Sequence, residues 1–225
     1  MRRPRNRVPD ANQPGLAKMP DWTFEDAARR AGHDVIAGVD EAGRGPWAGP
    51  VVAGAAILDR HNLSSALRTG LDDSKKLKPD AREDLFAELR ATARIGVGEA
   101  SVDEIDIMNI LQATMLAMAR AVAVLGDPTP SYALIDGNSE PALACSLECV
   151  VKGDGHSLSI AAASIVAKVT RDRIMRKLDA RHPGYGWASN AGYGTREHQD
   201  ALARLGITSF HRKSFAPIRK ILSPD

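Results

Sequence analysis

Five short apolar segments, separated by stretches of helical character, constrain the fold of this chain more than any other feature of its sequence. Each has the length and apolar composition of a buried β-strand, and several end at a glycine-rich turn. Strands that recur with helices between them predict an α/β fold, in which helices cover a sheet. The candidate strands are residues 33–40, 51–58, 93–101, 132–136 and 147–152.

Three longer segments carry the pattern of α-helices. Residues 79–93 have helical composition, and residues 156–181 begin with small side chains and end with charged ones. Between them, residues 102–126 place apolar side chains at helical spacing, which predicts one helix that ends at Gly126 and turns one face to the core. That face consists of Ile107, Ile110, Leu111, Met115, Met118 and Val122.

The composition is that of a globular protein. Of the 225 residues, 44% are hydrophobic and 26% are charged, which excludes extended disorder and fibrous repeats. No apolar run reaches the roughly 18 residues that a membrane-spanning helix needs, and no apolar stretch follows the basic N-terminus as in a secretory signal. Cys145 and Cys149 are too few for a disulfide framework, so we expect free thiols and a reducing, cytoplasmic location.

The charge is distributed unevenly along the chain. The net charge is only +2, yet residues 1–20 carry five basic and one acidic side chain, and residues 171–225 carry eleven and five. Residues 21–170 are therefore acidic, with fourteen basic and twenty-two acidic side chains. Either these charges form ordinary solvated surface, or an acidic centre concentrates metal ligands while the basic ends meet a polyanion.

The domain organisation is simple. Residues 1–20 are rich in arginine and proline, and they predict a flexible basic tail. Residues 21–225 contain no internal repeat and no linker composition, so they predict a single domain.

Four carboxylates stand where apolar segments give way to glycine turns. Asp40 and Glu41 precede AGRG, Asp136 precedes GN, and Asp154 follows KG. Strand ends in an open α/β sheet line a crevice, so acids that are distant in sequence can converge there. Each acid taken alone could equally be a turn residue, a helix cap or part of a solvated loop.

Acids that converge need a compensating charge, because two unit charges about 4 Å apart repel by about 4 kcal/mol at an effective dielectric constant near 20. Hard oxygen ligands favour Mg²⁺ or Mn²⁺, and the chain lacks the histidine clusters or paired cysteines of a zinc site. Two such ions about 3.5–4 Å apart can activate a water and stabilise the departing oxygen of a phosphodiester. The turn GRGPWAG permits close approach to a sugar or phosphate, but it is not a Walker loop. Metal-assisted hydrolysis is the chemistry that this pattern predicts.

Seven motifs within residues 34–217 carry a resemblance to a known family. They are GVDEAGRGPWAGPVVAGAAIL, DDSKKL, NILQATMLAM, LIDGN, VVKGD, IAAASIVAKVTRD and GYGT. In this order and spacing they are similar to those of the ribonuclease HII family. The resemblance implies an RNase H-like fold, with a five-stranded mixed sheet flanked by helices and a C-terminal helical portion that holds the substrate. It also implies endonucleolytic cleavage of RNA in RNA–DNA hybrids and 5′ of single ribonucleotides embedded in duplex DNA, leaving 3′-hydroxyl and 5′-phosphate ends.

The resemblance implies one role for all four acids. They are the catalytic groups, and they hold two Mn²⁺ or Mg²⁺ ions. Asp172, in the TRD motif, is a rival for the fourth position, although an ion pair with an arginine would also explain it; we favour Asp154. The one departure is Gly155, where the family carries serine or alanine, and it could loosen the start of the next helix. The four acids are Asp40, Glu41, Asp136 and Asp154.

Substrate-binding residues are implied in the same way. A Gly-Arg-Gly tripeptide reads the 2′-hydroxyl, the group that separates RNA from DNA, and a tyrosine packs against the neighbouring deoxyribose. A lysine contacts the nucleic-acid backbone, and a serine lies near the site. The alternatives are that the tyrosine is an ordinary surface aromatic, that the lysine belongs to a charged loop, and that the serine serves only helix packing. In this chain the positions are Gly43, Arg44, Gly45, Tyr193, Lys75 and Ser164.

Three other functions compete with this prediction. The related ribonuclease HIII family carries an additional domain in front and lacks the arginine of Gly-Arg-Gly, whereas here 33 residues precede Asp34 and Arg44 is present. A non-catalytic nucleic-acid-binding module would not need all four acids. A magnesium-dependent phosphatase with Asp40 as its nucleophile would need a second aspartate at position 42, which is Ala42.

The expected partners are nucleic acids. We expect a monomer that binds RNA–DNA hybrids and DNA duplexes containing ribonucleotides, and no membrane. The segment SFAPIRKIL near the C-terminus could contact a sliding-clamp protein, or it could be a terminal helix that packs on the core.

Overall fold

A five-stranded mixed sheet lies at the centre of the described part of the chain, residues 19–223 of a computed structural model. Its strands are β1 (Ile36–Ala42), β2 (Val51–Ile57), β3 (Arg94–Ala100), β4 (Tyr132–Asp136) and β5 (Ser146–Val150). Across the sheet their order is β3-β2-β1-β4-β5. β2 pairs antiparallel with β1 and β3, whereas β4 pairs parallel with β1 and β5. The predicted α/β fold with a five-stranded mixed sheet is confirmed.

Nine α-helices accompany the sheet within residues 19–223. They are α1 (Thr23–Arg30), α2 (Ser65–Gly70), α3 (Pro79–Thr92), α4 (Val102–Met108), α5 (Ile110–Ala123), α6 (Leu158–Arg181), α7 (Trp187–Asn190), α8 (Arg196–Leu205) and α9 (Ala216–Leu222). In this part of the chain, no helix has the length and apolar character needed to cross a membrane. The two cysteines are free thiols, as predicted. The predicted basic tail, residues 1–20, lies outside the described residues except for its last two positions.

Two helices cover the two faces of the sheet. α6 packs across β1 and β2 on one face, and α5 covers β2 and β3 on the other. A Cβ at Gly38 of β1 would lie 2.0 Å from the carbonyl carbon of Ser159, and a Cβ at Gly54 of β2 would lie 2.3 Å from the carbonyl oxygen of Ala163. These glycines therefore let the backbone of α6 lie directly on the sheet, and the position of α6 relative to β1 is fixed by backbone contact.

The single helix predicted over residues 102–126 is wrong: Asn109 divides this segment into α4 and α5. Asn109 has a positive φ of 72°, and its side-chain oxygen accepts hydrogen bonds from the backbone N–H groups of Leu111 (2.9 Å) and Gln112 (3.2 Å). An asparagine tolerates this conformation and caps the new helix. The break also turns Ile107, which is 83% exposed, away from the core in which the predicted face would have placed it. The second helix ends at Ala123, before Gly126.

The last three helices pack around one buried aromatic residue. Trp187 is fully buried, and the Tyr185 ring stacks on it with centroids 4.9 Å apart. Met175 and Leu178, from the second half of α6, and Ile218, from α9, belong to the same apolar cluster. The helical C-terminal portion that was predicted thus packs on the end of α6, and α6 connects it to the sheet.

The contact between β1 and α6 gives a stability prediction. Gly38→Ala should lower the free energy of unfolding by about 1–3 kcal/mol, because the added methyl group meets backbone atoms that cannot move aside. Denaturant unfolding measures the loss. Gly155→Ala is the matched control: a Cβ there meets nothing within 4 Å, so its effect should stay within about 0.5 kcal/mol. A Gly38→Ala protein as stable as the control would contradict the proposed close approach.

Candidate active site

Three of the four predicted acids lie together at one edge of the sheet. Asp40 and Glu41 are near the end of β1, and Asp136 is the last residue of β4. β1 and β4 are adjacent and parallel, with Val39 opposite Ile135, so their carboxyl ends reach the same edge. One carboxylate oxygen from each of the three acids lies within 4.8 Å of the others. The topology therefore produces an acidic cluster from residues almost a hundred positions apart.

Burial and the neighbouring carboxylates raise the pKa values of two of these acids, Asp40 and Glu41. Asp40 is only 3% exposed. Its burial raises its pKa well above the ordinary value, the neighbouring carboxylates of Glu41 and Asp136 raise it further, and a hydrogen bond from Ser164 opposes the shift. Burial also raises the pKa of Glu41, while Arg44, whose Nη1 lies 3.4 Å from Glu41 Oε1, lowers it. The positive charge of Arg44 therefore does not offset the effect of burial and of the neighbouring carboxylates on the cluster.

Asp154 lies beside the cluster, on the short 3₁₀ turn Gly153–Gly155 that connects β5 to α6. It is 8% exposed, and its pKa is raised by burial and by the charges of Asp136 and Asp73. The backbone N–H of Gly153 donates a 2.6 Å hydrogen bond to Asp136 Oδ1, which joins this turn to the acid on β4. Asp154 is therefore close enough to Asp136 to feel its charge, but it is not among the three acids whose oxygens lie within 4.8 Å.

The rival acid, Asp172, has two cationic partners. Lys168 Nζ lies 2.6 Å from its Oδ1, and Arg82 Nη2 lies 3.9 Å from its Oδ2. Its charge is thus compensated within the protein. Asp172 lies one helical turn beyond Lys168 on α6, and it is not part of the three-acid cluster.

A cleft of about 340 Å³ adjoins the acids. Glu41 belongs both to the acidic cluster and to the wall of this cleft. Tyr193 is 52% exposed, and a Cβ at Gly45 would lie 3.3 Å from its ring, so the tyrosine and the glycine loop are neighbours. Lys168 and the buried Arg171 also contribute to the wall. All six predicted substrate-binding residues line it: Gly43, Arg44, Gly45, Lys75, Ser164 and Tyr193.

Two buried arginines hold the loop that forms this wall, and the sequence prediction missed both. Arg212 donates to the carbonyl oxygens of Gly43 (2.6 Å), Arg44 (2.9 Å) and Gly49 (2.9 Å). Burial lowers its pKa to about 9.

Arg171 holds the end of the loop that Arg212 also reaches at Gly49. It donates to the carbonyl oxygens of Pro50 (3.0 Å), Ala48 (3.1 Å) and Ala191 (2.9 Å). Arg171 belongs to the TRD motif and Arg212 to none of the motifs quoted above, and a positive charge by itself predicts a surface position.

The donors of the cluster fit a divalent cation. Carboxylate oxygens are the ligands that Mg²⁺ and Mn²⁺ prefer, and a cation would offset the mutual repulsion of three carboxylates whose oxygens lie within 4.8 Å of one another. Asp40, Glu41 and Asp136 are the residues that would hold it.

Removing one charge from the cluster should stabilise the metal-free protein. In a chelator at pH 8, Asp40→Asn should raise the free energy of unfolding by about 1 kcal/mol, or the Tm by roughly 2–4 °C. Because the folded-state pKa of Asp40 is raised, its proton is held more tightly in the folded chain, and stability is lost as the pH rises above 3.8. The gain should therefore be larger at pH 8 than at pH 5. Thermal unfolding at both pH values measures it.

Asp200→Asn is the matched control, since Asp200 is an exposed acid on α8 outside the cluster. It should change the Tm little at either pH. A lower Tm for Asp40→Asn at pH 8 in the chelator would contradict the repulsion described above.

Comparison with known proteins supplies the family. A sequence model described as Ribonuclease HII matches residues 37–218. The chain is 57% identical over 204 residues to the Ribonuclease HII of Ruegeria pomeroyi, covering 90% of this chain and 85% of that protein.

Two solved structures are also similar. The ribonuclease H2 of Pyrococcus horikoshii superimposes with a TM-score of 0.70 at 30% identity, covering 84% of this chain and 97% of that one. The RNase HII of Archaeoglobus fulgidus, solved in a complex with PCNA, superimposes with a TM-score of 0.66 at 27% identity, covering 80% and 94%. The family match, over residues 37–218, includes all the predicted site residues. The chain therefore belongs to the ribonuclease HII family of metal-dependent hydrolases, which act on RNA–DNA hybrids.

Proposed function

We propose that this enzyme also cleaves 5′ of single ribonucleotides embedded in duplex DNA, leaving 3′-hydroxyl and 5′-phosphate ends, in addition to acting on RNA–DNA hybrids. One observation carries the proposal: Glu41 belongs both to the acidic cluster and to the cleft lined by the Gly43–Arg44–Gly45 loop and Tyr193. Groups for hydrolysis thus lie directly beside groups suited to recognise a sugar. An enzyme with this arrangement can select one phosphodiester by the sugar next to it.

The loop is suited to recognising a ribose hydroxyl. A 2′-hydroxyl both donates and accepts a hydrogen bond, so backbone groups can recognise it, and glycine lets them approach closely. Gly43 has a φ of 97°, and Arg212 fixes the carbonyl groups of Gly43 and Arg44. The Tyr193 ring beside Gly45 offers an apolar surface against which a deoxyribose can pack.

Two exposed cations flank the acids and can meet a phosphate. Lys75 Nζ lies 4.0 Å from Asp154 Oδ2, and the Arg44 guanidinium lies beside Glu41. Partial burial lowers the pKa of Lys75, but the nearby carboxylates, Asp40 first among them, outweigh it and raise the pKa overall. The lysine therefore carries its charge at neutral pH, and we assign it to the phosphate backbone.

We assign the metal ligands to Asp40, Glu41 and Asp136, with Asp154 as the fourth acid. Two divalent ions, Mn²⁺ or Mg²⁺, would supply water activation and stabilisation of the leaving oxygen. The residues themselves contribute a fixed array of carboxylates, of which Asp40 and Asp154 are buried. The hydrogen bond from Gly153 to Asp136 keeps the turn that carries Asp154 against this array.

The C-terminal helix is the part of the chain for which we propose a sliding-clamp contact. α9 buries Ile218 in the aromatic cluster, which is the terminal-helix packing considered as the alternative. Ile221 and Leu222 on the same helix are each 47% exposed, so an apolar surface remains for a partner. The Archaeoglobus relative in a complex with PCNA supports this assignment.

Cleavage of defined duplexes tests the proposed specificity. With Mg²⁺ or Mn²⁺, the wild type should cut a DNA duplex that contains one ribonucleotide, 5′ of that residue, and should leave an all-DNA duplex intact. Asp40→Asn should slow cleavage by about 100-fold or more, the effect of losing about 3 kcal/mol of transition-state stabilisation. Mapping of the product ends by gel and mass spectrometry identifies the bond that is cut. Asp200→Asn should cleave at the wild-type rate.

Two results would refute the proposal: a wild type that leaves the embedded ribonucleotide uncut while cleaving continuous hybrid, or an Asp40→Asn variant with near-normal turnover.

Salt dependence tests the assignment of Lys75. Binding of Asp40→Asn to the duplex with one ribonucleotide should weaken steeply with salt, because each phosphate contact releases counterions. Adding Lys75→Ala should reduce the slope of log K against log salt by about 1. Arg90→Ala is the control, since Arg90 lies near the end of α3 that precedes β3, at the opposite edge of the sheet from the acids. Equal slopes for the Lys75 and Arg90 variants would remove Lys75 from the phosphate contacts.

A further inference from the structure

Two histidines form a buried hydrogen-bonded pair behind Tyr193. His198 lies on α8, His211 lies between α8 and α9, and both are fully buried. Their Nε2 atoms are 3.0 Å apart. The pair lies outside the acidic cluster, and the function proposed above gives it no role.

The surrounding hydrogen bonds fix the proton positions on both rings. His211 Nδ1 accepts a hydrogen bond from the backbone N–H of Thr208 (2.9 Å), so its proton is on Nε2 and is donated to His198. His198 Nε2 also accepts from Trp187 Nε1–H (3.1 Å), so the proton of His198 is on Nδ1. That Nδ1–H donates to the carbonyl oxygen of Tyr193 at 3.0 Å.

Both rings are neutral at physiological pH. Burial lowers the pKa of His198. Burial, and then the repulsion that a protonated His211 would meet from a protonated His198, lowers the pKa of His211 to about 4. Each ring therefore has one donor and one acceptor, as the chain of hydrogen bonds requires.

The chain segment that carries His211 reaches both parts of the cleft. Through His198 it holds the backbone of Tyr193. Through the next residue, Arg212, it holds the carbonyl groups of Gly43 and Arg44. Arg171 and the backbone hydrogen bond from Trp47 to Gly192 join the loop to residues 191–192. His211 and Arg212 add a second link, which reaches the tyrosine itself and the carbonyl groups of Gly43 and Arg44.

We propose that His198 and His211 are positioning residues, which set Tyr193 against the Gly43–Arg44–Gly45 loop and thereby set the preference of the enzyme for an RNA-to-DNA junction over continuous hybrid. This inference rests on the function proposed above. A displacement of about 1 Å in a positioned group is enough to reduce a rate about 100-fold. Because Tyr193 is assigned to the deoxyribose at the junction, a displaced tyrosine should slow cleavage at the junction more than cleavage of continuous hybrid, and selectivity should fall.

Two substitutions of His198 separate positioning from packing. The side-chain nitrogen of asparagine can occupy the place of Nδ1, so His198→Asn keeps the donor to the Tyr193 carbonyl and loses the acceptor. The side-chain oxygen of glutamine can occupy the place of Nε2, so His198→Gln keeps the acceptor for Trp187 and His211 and loses the donor. Both residues are neutral, and both leave a smaller side chain than imidazole.

The measurement is selectivity, the ratio of kcat/KM for a duplex with one ribonucleotide to kcat/KM for continuous hybrid. His198→Gln should lower this ratio about tenfold, and His198→Asn by less than about threefold. In a Tyr193→Ala background, His198→Gln should change the ratio by less than about twofold, because the group it positions is gone. Leu202→Ala, a buried change on the same helix that leaves the Tyr193 hydrogen bond intact, should lower the Tm and keep the ratio.

A measurement on the unmodified protein does not depend on how the variants fold. Nitrogen-15 NMR of the histidine rings should show the Nδ1–H tautomer for His198 and the Nε2–H tautomer for His211. The opposite tautomers would overturn the proposal. Equal losses of selectivity for the Asn and Gln variants, or a full effect of His198→Gln in the Tyr193→Ala background, would overturn it as well.

The outcomes also separate this inference from the proposed function. If the wild type fails to cut at an embedded ribonucleotide, the proposed function is wrong. If the wild type cuts there and Tyr193→Ala loses selectivity while the two His198 variants behave alike, the function stands and the positioning role is wrong.

Discussion

Repulsion between clustered carboxylates is the interaction on which the rest of this structure depends. Asp40, Glu41 and Asp136 have oxygens within 4.8 Å of one another, and burial raises the pKa values of the first two. Such a cluster persists only if a rigid frame prevents the acids from moving apart. The frame is the paired strands β1 and β4. β1 and its other neighbour, β2, lie directly against α6 at Gly38 and Gly54, where no side chain intervenes. Repulsion among the three acids lowers the stability of the metal-free protein, and the same three acids are the residues that would hold a cation.

The shape of the cleft beside the acids depends on hydrogen bonds from arginine side chains to backbone carbonyl groups. Arg212 and Arg171 donate to carbonyl groups at the two ends of the loop that follows β1. Both come from the C-terminal half of the chain, so the shape of the loop depends on elements far from it in sequence. The histidine pair holds Tyr193 in the same way, because His198 donates a hydrogen bond to the backbone carbonyl group of that residue. The loop after β1 and the C-terminal helical portion together therefore form the wall of the cleft next to the acids.

The strands and the acids could be predicted because their signals are local. An apolar segment followed by an acid and a glycine identifies both a strand and its end, and parallel pairing then brings Asp40 and Asp136 together. The break at Asn109 could not be predicted, because its positive φ interrupts a pattern that is otherwise helical. Arg212 was missed for a different reason: its partners are carbonyl groups more than 150 positions away, which no sequence pattern indicates.

Calorimetric titration of Mn²⁺ into the protein without nucleic acid tests the central claim most directly. The wild type should bind Mn²⁺, and Asp136→Asn should bind it at least about tenfold more weakly, since it removes a ligand and part of the repulsion that the ion relieves. Asp172→Asn should leave the affinity unchanged, because that acid is already paired with Lys168 and Arg82. Wild-type affinity in Asp136→Asn would contradict the account.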